Sequence, residues 1–164
     1  MTTKRTMTRP LLLAGCGKMG GAMLAGWQKS GIAAAGVFVV EPMGADDFAN
    51  SPDVTIVSSA DDLPADLDPE VVVFAVKPQQ MDNVAPGYAR FVKPGTVFLS
   101  IAAGKTIGYF ENHLSRAAAI VRAMPNTPAA IGQGITVTCP NANVSADQNA
   151  LCEALMQSVG DAIS

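Results

Sequence analysis

Three glycines at fixed spacing are the first residues of this chain whose types could do chemistry. The apolar run Leu11-Leu12-Leu13-Ala14 ends in Gly15-Cys16-Gly17-Lys18-Met19-Gly20, and a segment with helical patterning follows at once. In that setting each glycine has its own mechanical task. Gly15 lets the chain turn sharply off a strand. Gly17 lets the backbone approach a pyrophosphate with no Cβ in the way, and Gly20 lets the following helix pack close to the strand. Free amide N–H groups and the positive end of a helix dipole then favour phosphates, so the spacing implies a dinucleotide site. Glu41 closes a second apolar run, Val37-Phe38-Val39-Val40. A carboxylate there accepts hydrogen bonds from ribose hydroxyls and repels a 2′-phosphate. No lysine or arginine occurs between Glu41 and Leu67, which leaves no cation in that stretch to hold such a phosphate. The expected cofactor is therefore NAD or NADP, with NADH favoured by Glu41.

Lys77 follows directly on Val71-Val72-Val73-Phe74-Ala75-Val76. It is placed either to reach a phosphate, a ribose hydroxyl or the substrate side of a nicotinamide, or to sit solvated at a strand end. Cys16 stands in the glycine loop, where a helix N-terminus can lower a thiol pKa; a small residue that happens to fit is the better reading. The single His113 lies in a polar stretch without an evident partner and reads as an exposed surface histidine. No Ser/His/Asp grouping, HExxH motif or pair of carboxylates at helical spacing occurs, so nothing points to hydrolysis or metal catalysis, and no metal site and no catalytic residue is assigned.

The elements that must position these residues alternate along the chain. A helix is expected over residues 18–30, with Met19, Met23 and Trp27 as its inner stripe and Gly31 as its stop. Strands are expected over residues 11–14, 37–40, 54–57, 71–76, 97–101, 119–124 and 135–138. Helical segments are expected at 78–92, opened by Pro78, at 106–115, and from Ser145 to about Ser158, where Gly160 ends the last one. Residues 58–68 read as a turn with one helical turn. The unbroken β-branched run at 71–76 is the signature of a strand covered on both faces. This order implies an α/β fold: a Rossmann-like, doubly wound, mostly parallel sheet with helices on both faces and right-handed crossovers. In such a sheet the ligand lies outside the carboxyl ends of the strands. Gly15 to Gly20, Glu41-Pro42, Ala75-Val76-Lys77-Pro78 and Ala102-Ala103-Gly104 all fall there, and the loop from Met124 to Pro128 leaves the same edge.

Composition bounds the rest. A length of 164 residues, nearly half of them apolar, fits one buried globular domain, here residues 11–164. Residues 1–10, with Lys4, Arg5 and Arg9, read as a flexible leader, and the apolar stretch after them is too short for a signal peptide. A net charge of −3 gives no electrostatic reason to expect nucleic acid, and no apolar run reaches membrane-spanning length. Cys16, Cys139 and Cys152 are odd in number and far apart, which argues against a disulfide framework and fits a cytoplasmic location.

Four stretches also resemble a known family. Leu13-Ala14-Gly15-Cys16-Gly17-Lys18-Met19-Gly20, Phe74-Ala75-Val76-Lys77-Pro78-Gln79, Ser100-Ile101-Ala102-Ala103-Gly104 and Val121-Arg122-Ala123-Met124-Pro125-Asn126-Thr127-Pro128-Ala129 are similar, in order and spacing, to the motifs of pyrroline-5-carboxylate reductases. The resemblance implies an oxidoreductase of proline biosynthesis, in which a reduced nicotinamide delivers hydride to the C=N carbon of 1-pyrroline-5-carboxylate to give L-proline. It implies that Ala14 to Gly20 bind the cofactor and that Ala75 to Pro78 line it. Ala102 and Ala103 would pass close to the nicotinamide side, and Met124, Pro125 and Asn126 would shape the pocket around its ring. Lys18 departs from the asparagine often found in that family's loop. The resemblance also implies a second, helical domain that builds a dimer and supplies most substrate contacts, and this chain is expected to stop short of it. These residues are thus expected to bind the dinucleotide but turn over poorly, to form homo-oligomers only with that second domain, and to expose an apolar edge without it. Two other readings stay open: a non-catalytic NAD(P)-binding sensor or interaction module, and a related dehydrogenase acting on another substrate.

Overall fold

The structure, a computed structural model, describes residues 6–125 and 136–163. Among the described residues seven strands form one sheet in the order β3-β2-β1-β4-β5-β6-β7. They are β1 (Leu11–Ala14), β2 (Val37–Val40), β3 (Val54–Val57), β4 (Val71–Phe74), β5 (Val97–Ser100), β6 (Ala119–Pro125) and β7 (Thr136–Pro140). β1 to β6 are parallel, and β7 runs antiparallel to β6. The chain reverses its direction of travel across the sheet between β1 and β4. That is the switch point at which an open α/β sheet offers a crevice.

Period-2 alternation divides the strand side chains between two cores. Leu11, Leu13, Val37, Val39, Val71, Val73, Val97 and Leu99 face one side, where they meet Met23, Leu24 and Trp27 of α1 (Lys18–Ser30) and Leu151, Cys152, Leu155 and Met156 of α4 (Ala146–Ile163). Leu12, Ala14, Val72, Phe74, Phe98 and Ile120 face the other side, against Met81 of α2 (Met81–Val84), Tyr88 and Phe91 of the 3₁₀ stretch Ala85–Phe91, and Phe110 of α3 (Ile107–His113). β1, β4 and β5 are buried along their whole length, as a parallel sheet covered on both faces requires. The Phe74 ring packs edge-on to Tyr88 at 5.3 Å and stacks with Phe110 at 5.4 Å.

α1 has the expected bounds. Gly31 stops it in a left-handed conformation at φ 76°, and its N–H donates to the Trp27 carbonyl. Other elements depart from expectation. The helix expected over 78–92 is broken into a 3₁₀ turn Pro78–Gln80, α2, and the 3₁₀ stretch Ala85–Phe91. Pro86 has no N–H to give to the carbonyl four residues back, so α-helical bonding cannot run through it. β4 stops at Phe74 and β5 at Ser100, short of the expected 76 and 101. α3 is shorter than 106–115, with Thr106 as its N-cap: the Thr106 side chain accepts from the Tyr109 N–H. Gly160 does not end α4, which runs on to Ile163. A glycine costs a helix interior only about 1 kcal/mol relative to alanine, less than the burial of Leu151, Cys152, Leu155 and Met156 supplies.

The flexible leader expected over residues 1–10 is anchored from Met7 onward. Met7 is buried and its N–H donates to the Ile32 carbonyl. The backbone N–H groups of Thr8 and Arg9 both donate to Glu70 Oε1 at 3.0 Å. Residues 1–5 lie outside the described residues.

Candidate dinucleotide site

β1 delivers the glycine turn to the carboxyl edge of the sheet, and each glycine meets a different neighbour there. Gly15 has φ +94°, and a Cβ on it would lie 2.9 Å from the Ala75 backbone. A Cβ on Gly20 would lie 2.5 Å from the Gly15 carbonyl oxygen. These two glycines serve the fold itself. A Cβ on Gly17 would meet nothing within 4 Å. Gly17 is the N-cap of α1, without a side-chain cap and with no acidic residue in the first turn. The free space over Gly17 and the uncapped amides behind it make a cradle that a pyrophosphate fits.

Glu41 follows β2 and reaches the same turn. Its Oε1 accepts the Cys16 backbone N–H at 2.9 Å and its Oε2 accepts the Met43 N–H at 3.2 Å. The carboxylate is thereby held beside the glycine loop, where ribose hydroxyls adjoin a pyrophosphate. The loop's cysteine is not activated. Burial pushes the Cys16 thiol up, and the nearby charges of Glu41 and Asp47 add to it. This reverses the lowering that a helix N-terminus alone would give.

Two hollows flank the turn. One, of about 610 Å³, runs between the first turns of α1 and the loop after β2, with Lys18 on one side and Asp46 and Asp47 on the other. The second, of about 270 Å³, opens where β1, β2 and β4 end; it is walled by Val40, Pro42, Ala60, Val76 and Val84, with Asp61 and Asn83 at its rim.

Ladder bonds carry the sheet's order into the loops. The Gly15 N–H donates to Val40 O, Glu41 N–H to Val57 O, Ala75 N–H to Ala14 O and Ile101 N–H to Phe74 O. Ala14 to Gly20, Glu41, Ala75 to Pro78, Ala102 and Ala103 are therefore gathered at one edge. Ala102 is buried, and its N–H donates to the buried Ser100 hydroxyl at 3.2 Å. Lys77 is exposed at the start of the 3₁₀ turn Pro78–Gln80 and lines neither hollow. Met124 and Pro125 end β6 at the same edge; Asn126 lies outside the described residues.

A cluster that the sequence hid lies on the α2–α3 side. The Tyr109 hydroxyl donates to Asp82 Oδ1, Lys105 lies 4.5 Å over the Tyr109 ring, and the same ring stacks on His113 at 4.1 Å. His113 is half-buried rather than an exposed histidine; its Nδ1 donates to the Tyr109 carbonyl, and its Nε2 lies 3.9 Å from Asp82. The Tyr109 hydroxyl holds the Asp82 carboxyl below the usual carboxylate range, helped by Lys105 and His113. Burial and the bond to Asp82 push the Tyr109 phenol up to about 12. Sequence reasoning missed Asp61, Asn83 and Arg90 as well. Arg90 reaches the Ala60 carbonyl at 3.4 Å from a distant segment. Among the described residues no group of histidine, cysteine and carboxylate side chains is arranged to hold a metal, and no helix is long and apolar enough to cross a membrane.

Residues 11–104 match the family model described as NADP oxidoreductase coenzyme F420-dependent. The chain is 35% identical over 159 residues to the pyrroline-5-carboxylate reductase of Pseudomonas aeruginosa, covering 95% of this chain and 57% of that one. Its structure is similar to that of a pyrroline-5-carboxylate reductase from Coxiella burnetii, with a TM-score of 0.81 at 30% identity over 93% of this chain and 57% of that one. It is also similar to the Plasmodium falciparum pyrroline carboxylate reductase with NADP bound, with a TM-score of 0.75 at 25% identity over 94% and 56%. The chain thus spans just over half the length of the relatives it matches.

Proposed function

The chain belongs to the family of NADP oxidoreductases described as coenzyme F420-dependent, and from that premise we propose that it is the cofactor-holding part of a reductase that converts 1-pyrroline-5-carboxylate to L-proline. The observation that carries the cofactor half of this reading is the open cradle over Gly17 beside the Glu41 carboxylate. The substrate half rests on the relatives and on the order of motifs through Arg122 to Pro128.

In this reading the amides behind Gly17 bind the pyrophosphate. Glu41 orients the adjacent ribose, and its grip on the Cys16 N–H keeps both in register. Ala75 to Pro78 line the dinucleotide along the end of β4. Ala102 and Ala103 let the nicotinamide half approach the backbone closely, and Met124, Pro125 and Asn126 border its ring. When bound, the reduced nicotinamide supplies the hydride. The chain's own task is orientation, and no proton donor is assigned within it. A cytoplasmic location is part of this reading and is supported by the odd, scattered cysteines, all three of which are free.

NADH is the proposed preferred cofactor. Glu41 repels a 2′-phosphate, and Asp46 and Asp47 add negative charge to the larger hollow that outweighs the one positive charge of Lys18 there. Titrating the protein with each cofactor tests this: NADH is expected to bind roughly tenfold more tightly, a difference of about 1.4 kcal/mol, and tighter NADPH binding overturns the preference. In a proline-forming assay this chain is expected to bind cofactor yet turn over poorly. Robust proline formation by these residues alone overturns that expectation.

A further inference from the structure

We infer that Asp82 and Tyr109, with His113 as a proton-dependent third member, are positioning residues that set the gap between the two segments lining the nicotinamide half of the dinucleotide. The inference rests on the proposed placement of the dinucleotide and goes beyond it, since none of the three lines the glycine turn or either hollow beside it. Asp82 is in α2, which follows Ala75 to Pro78 through the 3₁₀ turn Pro78–Gln80. Tyr109 and His113 are in α3, which follows Ala102 to Gly104. At the strand ends the two segments are joined by the Ile101 N–H on the Phe74 carbonyl. Farther out they are joined by side chains: the Tyr109 hydroxyl donates to Asp82 Oδ1, and His113 Nε2 lies 3.9 Å from the same oxygen.

The Tyr109 ring is held on several sides. It stacks on His113, one helical turn on, at 4.1 Å, and it meets Phe110 edge to face at 5.2 Å. The Lys105 ammonium lies 4.5 Å from its centroid. Phe110 is fully buried and stacked on Phe74 at the end of β4. Lys105 closes the loop of Ala102 to Gly104, so a shift of Tyr109 carries that loop with it. The His113 part depends on a proton. Nδ1 donates to the Tyr109 carbonyl, so in the neutral ring Nε2 holds a lone pair and faces a carboxylate without attraction. A proton on Nε2 makes it a charged donor toward Asp82. The bond from Tyr109, with Lys105 and His113, keeps Asp82 ionised where an imidazole takes up that proton. Lys105, and Arg122 on the same face of β6 as Ile120, are the cations on this side of the sheet. Arg90 of the neighbouring 3₁₀ stretch is drawn instead to the Phe91 ring and the Ala60 carbonyl, and Glu111 of α3 to the Asn141 amide. Asp82 is thus the carboxylate that the His113 proton meets.

The test titrates wild type and two variants with NADH and with ADP-ribose, which carries the pyrophosphate and the adenosine but no nicotinamide, at about pH 8 and about pH 6. Tyr109→Phe removes the hydroxyl alone. At the higher pH it is expected to weaken NADH about three- to fivefold and to leave ADP-ribose unchanged. Wild type is expected to bind NADH about two- to threefold more tightly at the lower pH, with ADP-ribose constant. Asp82→Asn keeps an oxygen that accepts from Tyr109 and loses the charge. It is expected to match wild type at the higher pH and to show no pH response. A Tyr109→Phe variant that binds both ligands more weakly to the same degree, or neither, overturns the positioning role. An NADH affinity of wild type that does not change with pH, or a change that Asp82→Asn retains, overturns the part given to His113. Each of these results leaves the dinucleotide reading standing, whereas binding of neither ligand by wild type overturns both.

Discussion

Gly15, Gly17 and Gly20 lie within one turn of chain, yet an added methyl group meets something different at each. At Gly15 it meets the Ala75 backbone at 2.9 Å and a φ of +94° that alanine rarely adopts. At Gly20 it meets the Gly15 carbonyl at 2.5 Å, and neither partner is a flexible side-chain end. Gly15→Ala and Gly20→Ala are therefore each expected to lower stability by about 3 kcal/mol, read as a shift in urea midpoint. Gly17→Ala meets open space and is expected to cost no more than about 1 kcal/mol of helix capping, while weakening NADH binding at least about tenfold. Unfolding of Gly17→Ala comparable to the other two, or unchanged NADH affinity in it, contradicts the division of labour. These roles were legible in the sequence because a glycine turn is local geometry. The Asp82–Tyr109–His113 cluster was not, since its members lie 27 and 4 residues apart and only the packing of α3 beside α2 brings them together.

At the scale of elements, α1 and α4 share one face of the sheet although they stand at opposite ends of the chain. The Trp27 indole N–H donates to the Leu155 carbonyl at 3.0 Å across 128 residues, and the side chain is fully buried. Trp27→Phe removes that donor, leaves a smaller ring in a fixed hole, and is expected to cost about 2–3 kcal/mol. Urea unfolding followed by circular dichroism measures this. Unchanged stability would mean that α4 is held without this contact. The bounds of α1 could be read from Gly17 and Gly31, and the strands from their β-branched runs. The stretch after Pro78 could not, because apolar periodicity through Met81, Ala85 and Tyr88 persists across a break that Pro86 imposes on the backbone. The end of α4 failed for the opposite reason: Gly160 is a weak signal against a helix whose core side is already buried. The third strand's edge position and the reversal of β7 were equally invisible, since strand patterning does not encode neighbours.

At the scale of the whole molecule, backbone bonds run from strand ends into loops at both edges of the sheet, as from the Glu70 N–H to the Pro10 carbonyl and from the Val97 N–H to the Glu70 carbonyl at the amino edge. The amino edge adds charge to them. Asp68, just before β4, pairs with Arg9 before β1 at 2.9 Å and with Lys93 before β5 at 2.8 Å, so one carboxylate ties the entries of three central strands. The Lys93 ammonium, joined by Arg9, holds the Asp68 carboxyl below the usual carboxylate range. A carboxyl depressed in the folded state favours folding above its unfolded pKa, near 4, and loses that contribution as pH falls through its lower folded value. Asp68→Asn removes the contribution at neutral pH and carries no charge to titrate. The variant is therefore expected to melt below wild type at pH 7, with the gap closing steadily as pH falls below about 4. All three groups are partly exposed, so high salt should also narrow the gap at pH 7. Melting curves of both proteins across that range measure it. A gap that stays constant with pH and salt would show that Asp68 acts by shape and hydrogen bonding alone, and that the charge at this edge does not contribute to holding the strands together.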